Sequence, residues 1–162
     1  MEDQGHKIKS PGERFPDLLG NDASGREVKL SDYPGKNFII YFYPKDNTSG
    51  CTLEAKSLRD HYAELLDRGY QVIGVSKDSE ASHQKFACKY ELPFPLIADT
   101  ELTLCLEVGV WQKKKMAGRE YMGIVRTTFI TDSEGAVTHR IDKVKTATAA
   151  EQIIEIIDGQ QK

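Results

Sequence analysis

Apolar residues along this chain follow two spacings, and the spacings predict its elements. Residues 38–43, Phe38-Ile39-Ile40-Tyr41-Phe42-Tyr43, are apolar without a break, as expected of a strand covered on both faces and central in a sheet. "YQVIGVS" at 70–76 predicts a second strand, "PLIAD" at 95–99 a short third, and "VRTTFITD" with "AVTHRID" a hairpin about Ser133-Glu134-Gly135. Near the start, "FPDLLGNDASGREVKL" predicts two short strands around a turn of Asn, Asp, Ser and Gly, an N-terminal β-hairpin. Helical spacing takes over between these runs. Ala55, Leu58, Tyr62, Leu65 and Leu66 share one face over 52–68, with Gly69 as a stop. A helix over 79–90 follows the caps Asp78 and Ser79, with Pro93 and Pro95 beyond its end. Leu102, Cys105, Leu106 and Gly109 mark a shorter one, followed by a polar loop to about Met122. Ile153, Ile154, Ile156 and Ile157 place the last helix over 148–158. Strands alternating with helices predict an α/β domain: a central mixed sheet with helices on both faces.

Composition narrows the class. At 162 residues the chain is of a size to fold as one domain, 1–162, without a disulfide or metal staple. Three cysteines without paired spacing make no disulfide framework, so reduced thiols in the cytoplasm are expected. The opening "MEDQGHKIKSPGERF" is charged and lacks the apolar stretch of a secretory signal, and no run is long enough to span a bilayer. No membrane partner is expected. A net charge of −3 offers no broad positive field to nucleic acid. The basic run Lys113-Lys114-Lys115 reads as a solvated loop.

The candidate chemistry centres on "YPKDNTSGC", where the chain leaves the strand at 38–43 through Pro44 and places Cys51 at the expected start of a helix. Unpaired N–H groups and the positive end of the helix dipole favour a thiolate there, and the thiolate is the nucleophile. Ser49-Gly50 permits a sharp turn and a close approach to a small ligand, and Thr48 adds a hydroxyl nearby. On spacing alone, Cys51 reads equally well as a small apolar filler with Thr48 or Ser49 an ordinary cap.

The segment "FYPKDNTSGCTLEAKSLRD" resembles the active-site segment of the peroxiredoxins, with Pro44, Thr48 and Cys51 at the positions of its proline, threonine and cysteine. "ELPFPLIAD", "GVW" and "GIVRTTFITD" are similar to the bacterioferritin-comigratory-protein or peroxiredoxin Q subfamily, so the resemblance extends over nearly the whole chain. It implies a thioredoxin-like fold and reduction of hydroperoxides. It also implies a second essential residue, an arginine in the strand after the long loop, where Arg126 stands. In that chemistry Cys51 attacks a peroxide oxygen and becomes a sulfenic acid. Arg126 favours the thiolate and stabilises the charge on the leaving oxygen, while Thr48 and the N–H groups near Gly50 orient the peroxide. No metal, haem or flavin cofactor is called for.

Resolution of the sulfenic acid departs from one pattern of these relatives. Many of them carry the resolving cysteine five residues after the first, and that position is Lys56. Helical phase turns Cys88 away from Phe86 and Tyr90, toward solvent, and puts Cys105 on the buried face of Leu102 and Leu106. Other relatives place the resolving cysteine in the helix that holds Cys88. The resemblance thus implies a Cys51–Cys88 disulfide, formed after local unwinding and reduced by thioredoxin, with Cys105 or an external thiol as the alternative partner. Family motifs for C-terminal arms are absent, which implies a monomer or weak dimer. Two other readings stand beside the peroxidase: a redox sensor or adaptor switched by the same cysteine, and a vestigial site on a structural thioredoxin-fold module.

Overall fold

The computed structural model describes residues 7–159 of the chain. Part of the charged opening segment, residues 1–6, and residues 160–162 lie outside the described residues. A short antiparallel hairpin comes first, β1 (Leu18–Asn21) and β2 (Glu27–Lys29), as the Asn/Asp/Ser/Gly turn predicts. Then follow β3 (Asn37–Phe42), α1 (Ser49–Asp60), α2 (Tyr62–Asp67), β4 (Tyr70–Ser76), α3 (Glu80–Tyr90), β5 (Leu96–Ala98) and α4 (Thr103–Val108). The chain closes with β6 (Trp111–Met116), β7 (Arg119–Ile124), β8 (Thr127–Thr131), β9 (Val137–Ile141) and α5 (Ala149–Gly159). No helix among the described residues is long and apolar enough to cross a membrane.

The main sheet has five strands in the order β5-β4-β3-β8-β9. β3 runs parallel to β4, and β4 to β5, whereas β8 is antiparallel to both β3 and β9. This is the expected mixed sheet with β3 at its centre. The unbroken apolar run of β3 is explained by its two covered faces. Phe38, Ile40 and Phe42 enter one core cluster with Val28, Cys105 and Phe129, while Ile39, Tyr41 and Tyr43 enter the other with Cys51, Leu58, Phe86 and Ile153. Consequently α1, α3 and α5 lie on one face, and α4 with the N-terminal hairpin on the other.

Two expectations require correction. The single helix predicted over 52–68 begins earlier, at Ser49, and breaks at His61 into α1 and α2. There the backbone leaves helical geometry (φ −111°, ψ 12°), and the Ser57 carbonyl faces both the N–H and the imidazole Nδ1 of His61, at 3.2 and 3.0 Å. The apolar spacing continues across the break, so periodicity does not reveal it. The polar loop predicted up to about Met122 is instead the hairpin β6–β7, turned by Ala117-Gly118, both at positive φ (52° and 80°). Such a turn suits the twist of the paired strands. The hairpin forms a two-stranded sheet of its own, and both its strands are largely exposed, so it carries no apolar pattern.

Gly74 is required by close packing at the sheet centre. It pairs with Tyr41 on β3, and a Cβ there would stand 2.8 Å from Leu96 Cδ2 and 2.9 Å from the Tyr41 ring. Gly74→Ala should therefore cost roughly 1–3 kcal/mol, the usual penalty of overpacking. A lowered urea midpoint with an unchanged slope is the expected reading; an unchanged midpoint would show that Leu96 and the Tyr41 ring yield without cost.

Candidate active site

Three segments converge at the start of α1. β3 ends with the Tyr43 N–H donating to Val75 O at 3.1 Å, and Pro44, half-buried, follows without a donor of its own. Asn47 takes a left-handed conformation (φ 62°), and Thr48 is the extended residue from which the helix starts. Thr48 makes no side-chain cap. Its hydroxyl donates to Lys45 O at 2.9 Å and its side chain is exposed, so it braces the loop. Cys51 is the third helical residue and is only 1% exposed, packed in the cluster that holds Tyr41, Tyr43 and Phe86.

Arg126 reaches this cysteine from across the sheet. It stands in the short link between β7 and β8, one residue before β8 rather than inside a strand. The antiparallel pairing of β8 with β3 brings that link beside the strand that leads into α1. Its Nη2 donates to Cys51 Sγ at 3.4 Å, and its Nη1 donates to Glu54 Oε1 at 2.7 Å. The guanidinium lies over Gly50, where a Cβ would come within 3.2 Å of Nη2. Gly50 thus admits the arginine, while its proximity to a ligand stays an expectation.

Glu54 is the part of the site that the sequence reading missed. Its side chain is fully buried, one turn beyond Cys51 on the inner face of α1. Burial pushes its carboxyl up to about 7 against the pull of Arg126. Burial works against the Arg126 charge too, but Glu54 and Cys51 on either side outweigh it and hold the guanidinium more firmly protonated. The signal was present in the sequence: a carboxylate on the same stripe as Cys51, Ala55 and Leu58 is out of place unless a cation meets it. Two buried atoms beside this pair, Tyr41 Oη and Glu54 Oε2, make no hydrogen bond among the described residues. Burial first, and then the Glu54 and Cys51 charges, push the Tyr41 hydroxyl well up, so it stays protonated and able to donate.

Lys114 also differs from its reading as one of three solvated lysines. Its Nζ donates to Ile124 O at 2.9 Å and sits 5.9 Å from the Tyr121 ring centroid. Burial and then the Arg126 charge push it down, while Cys51 draws it up, which puts its charge within reach of the site.

The other cysteines lie where helical phase puts them. Cys88 is exposed on α3 and Cys105 is buried on α4. The Cys105 thiol is pushed far up by burial and by Asp99, whose carboxylate accepts the N–H groups of Leu104 and Cys105. The structure therefore brings Cys51 and Arg126 together, holds Pro44 and Thr48 in the loop leading to them, and leaves Cys88 on a neighbouring helix facing solvent.

Comparison with known proteins finds relatives over most of the chain. The AhpC/TSA family model matches residues 11–140. Over 134 residues the chain is 47% identical to the peroxiredoxin Bcp of Bacillus subtilis, covering 83% of this chain and 85% of the relative. Escherichia coli peroxiredoxin Bcp is 38% identical over 136 residues, 84% of this chain and 87% of that one. A solved structure of the Xanthomonas campestris bacterioferritin comigratory protein, described in connection with its alkyl peroxide reduction activity, superposes with a TM-score of 0.82 at 33% identity, over 96% of this chain and 98% of that one.

The Glu54 carboxyl carries a sign for stability against pH. It is pushed from an ordinary 4.5 to about 7, so between those values the folded protein holds a proton that the unfolded chain has lost. Stability contributed by this group is complete below about 4.5 and declines as pH rises toward 7. Glu54→Gln, which cannot titrate, should flatten that decline, measured as urea midpoints at pH 5 and pH 7.5; parallel pH dependences for the two proteins would place the Glu54 titration elsewhere.

Proposed function

Because the chain belongs to the AhpC/TSA family, among its Bcp-type peroxiredoxins, we propose that it is a thiol peroxidase in which Cys51 attacks hydrogen peroxide or organic hydroperoxides. The observation that carries the reading is the Arg126 guanidinium on Cys51 Sγ at 3.4 Å. A fixed positive charge beside the sulfur gives the leaving oxygen a donor as its charge develops. Glu54 holds the guanidinium in that position through its other nitrogen. The sulfur attacks one peroxide oxygen, the O–O bond breaks, and the other oxygen leaves as water or alcohol once protonated. Cys51 is left as a sulfenic acid. Pro44 and Thr48 shape the loop that presents the sulfur. Hydroperoxides of carbon are supported as substrates by the activity attached to the Xanthomonas relative.

In this proposal Cys88 resolves the sulfenic acid, being exposed and on the same face of the sheet as Cys51. A thioredoxin-type dithiol then reduces the Cys51–Cys88 disulfide. In the same proposal residues 1–162 act as one domain, in the cytoplasm, as a monomer or weak dimer. Cys105 has no part in it, since its thiol is buried on the opposite face.

Cys51→Ser should abolish peroxide reduction, and residual peroxidase activity in that variant would remove the nucleophile. Cys88→Ser should still consume about one equivalent of peroxide but lose sustained turnover with thioredoxin and over-oxidise readily, whereas Cys105→Ser should do neither. Full thioredoxin-driven turnover without Cys88 would favour an external thiol as resolver.

Arg126→Gln should slow the single-turnover oxidation of Cys51 by roughly one to three orders of magnitude, the scale of losing a donor to a developing oxyanion. Stopped-flow measurement of that step reads the effect directly, and an unchanged rate would release Arg126 from the role.

A further inference from the structure

A second buried polar cluster lies outside the Cys51 site, and it joins the loop leading to Cys51 to the helix that carries Cys88. At its centre Asp46, 6% exposed, faces His83, which is fully buried. His83 Nε2 stands 2.9 Å from Ile97 O, and a carbonyl only accepts, so that nitrogen carries its hydrogen. His83 Nδ1 stands 2.7 Å from Asp46 Oδ2. The same carboxylate accepts the Tyr43 hydroxyl on Oδ1 at 2.6 Å and the Ser82 hydroxyl on Oδ2 at 2.8 Å. One proton is therefore held between Nδ1 and Oδ2, out of water. The Asp46 N–H in turn donates to Asp78 Oδ2 at 2.8 Å.

The cluster matters because of where the thiols point. A disulfide needs Cα atoms about 4.4–6.8 Å apart with side chains facing one another. Cys51 points into the core and Cys88 into solvent, so the start of α1 has to leave its place before the bond closes. That start hangs from Asp46, five residues before Cys51, and Asp46 is tied to the first turn of α3, five residues before Cys88. We propose that Asp46 and His83 form a latch, as positioning residues, whose opening sets the rate of the Cys51–Cys88 step; this rests on the assignment of Cys88 as the resolving thiol. In that step the Cys88 sulfur, as thiolate, attacks the sulfenic sulfur of Cys51. The S–S bond forms and the S–O bond breaks, and the oxygen leaves as hydroxide, which takes the proton given up by the Cys88 thiol and becomes water. While the latch is closed, a second peroxide, itself reduced to water or alcohol, competes by converting the sulfenic acid to sulfinic acid. The latch thus sets the peroxide level at which the enzyme is lost to over-oxidation.

The test separates the two steps in a single turnover of the reduced protein with one equivalent of hydrogen peroxide, quenched by thiol alkylation and read by mass spectrometry. Asp46→Ala and His83→Ala should close the disulfide roughly 10- to 100-fold faster, the scale of losing a charged buried hydrogen bond. Consumption of the first peroxide should stay near the wild-type rate. The double variant should be no faster than either single one, because each breaks the same link. Asp46→Asn, whose amide can donate to Nδ1 while its oxygen still accepts from Tyr43, should stay close to wild type. A merely structural role would slow both steps together and would not be rescued by Asn. Unchanged closure rates, or additive accelerations, would overturn the latch. Should the alanine variants not fold, amide exchange of the reduced wild-type protein decides. The Asp46 amide and the Thr52 amide, which donates to Thr48 O at 2.8 Å in the first turn of α1, opening together supports the latch, and an Asp46 amide that stays protected while Thr52 opens overturns it. Peptide mapping of the oxidised wild type keeps the two claims apart. No Cys51–Cys88 bond removes both the assignment and the latch, whereas a bond formed at wild-type rate in the variants removes the latch alone.

Discussion

One guanidinium holds this site together. Arg126 arrives from the link before β8 and meets two groups of α1 at once, the Cys51 sulfur and the Glu54 carboxylate. Neither contact is replaceable by the other. Without Arg126, Glu54 is an uncompensated carboxylate inside an apolar helix face, and without Glu54 the arginine has no second anchor to aim it at the sulfur. The ion pair therefore serves both packing and chemistry. It also depends on the whole sheet, since only the pairing of β8 with β3 delivers a residue distant in sequence to the start of the helix that follows β3.

The three cysteines show how the sheet sorts chemically identical groups. Cys105 lies among the side chains beneath one face, where Asp99 binds its backbone N–H and burial suppresses ionisation of its thiol. Cys51 is as deeply buried on the other face, but it sits at a helix start with a cation against its sulfur. Cys88 is on the outer side of α3, on the same face of the sheet as Cys51. Burial alone therefore does not distinguish Cys51 from Cys105; the charge beside the sulfur does.

In the proposed Cys51–Cys88 step a buried sulfur has to meet a partner facing solvent, which calls for a segment that is ordered in one step and released in the next. The loop from Lys45 to Thr48 is anchored in a way that fits such a release. It is pinned by buried polar contacts of Asp46, while Lys45, Asn47 and Thr48 are exposed. Segments held by a few polar anchors rather than by apolar packing open at lower cost than the core around them.

Much of the fold was legible in the chain because a sheet centre leaves an unmistakable pattern. The apolar runs of β3 and β4, the caps of α3 and the β8–β9 turn all follow from local residue chemistry. So does the phase that turns Cys88 outward and Cys105 inward, because helical spacing is itself local. The motif around Cys51 fixed the family and pointed to Arg126. What the chain alone did not reveal depends on partners far off in sequence. The β6–β7 hairpin is stabilised by cross-strand backbone pairing at the surface, which writes no apolar periodicity. The break at His61 is a change of backbone angles inside an unbroken apolar stripe, which periodicity does not register. Glu54 stood on the buried stripe of its helix without a partner until the fold set Arg126 against it, and Asp46 and His83 came together only when β3, β4 and α3 closed around them. Periodicity determines which face of an element is buried; only the tertiary structure decides which charges meet there.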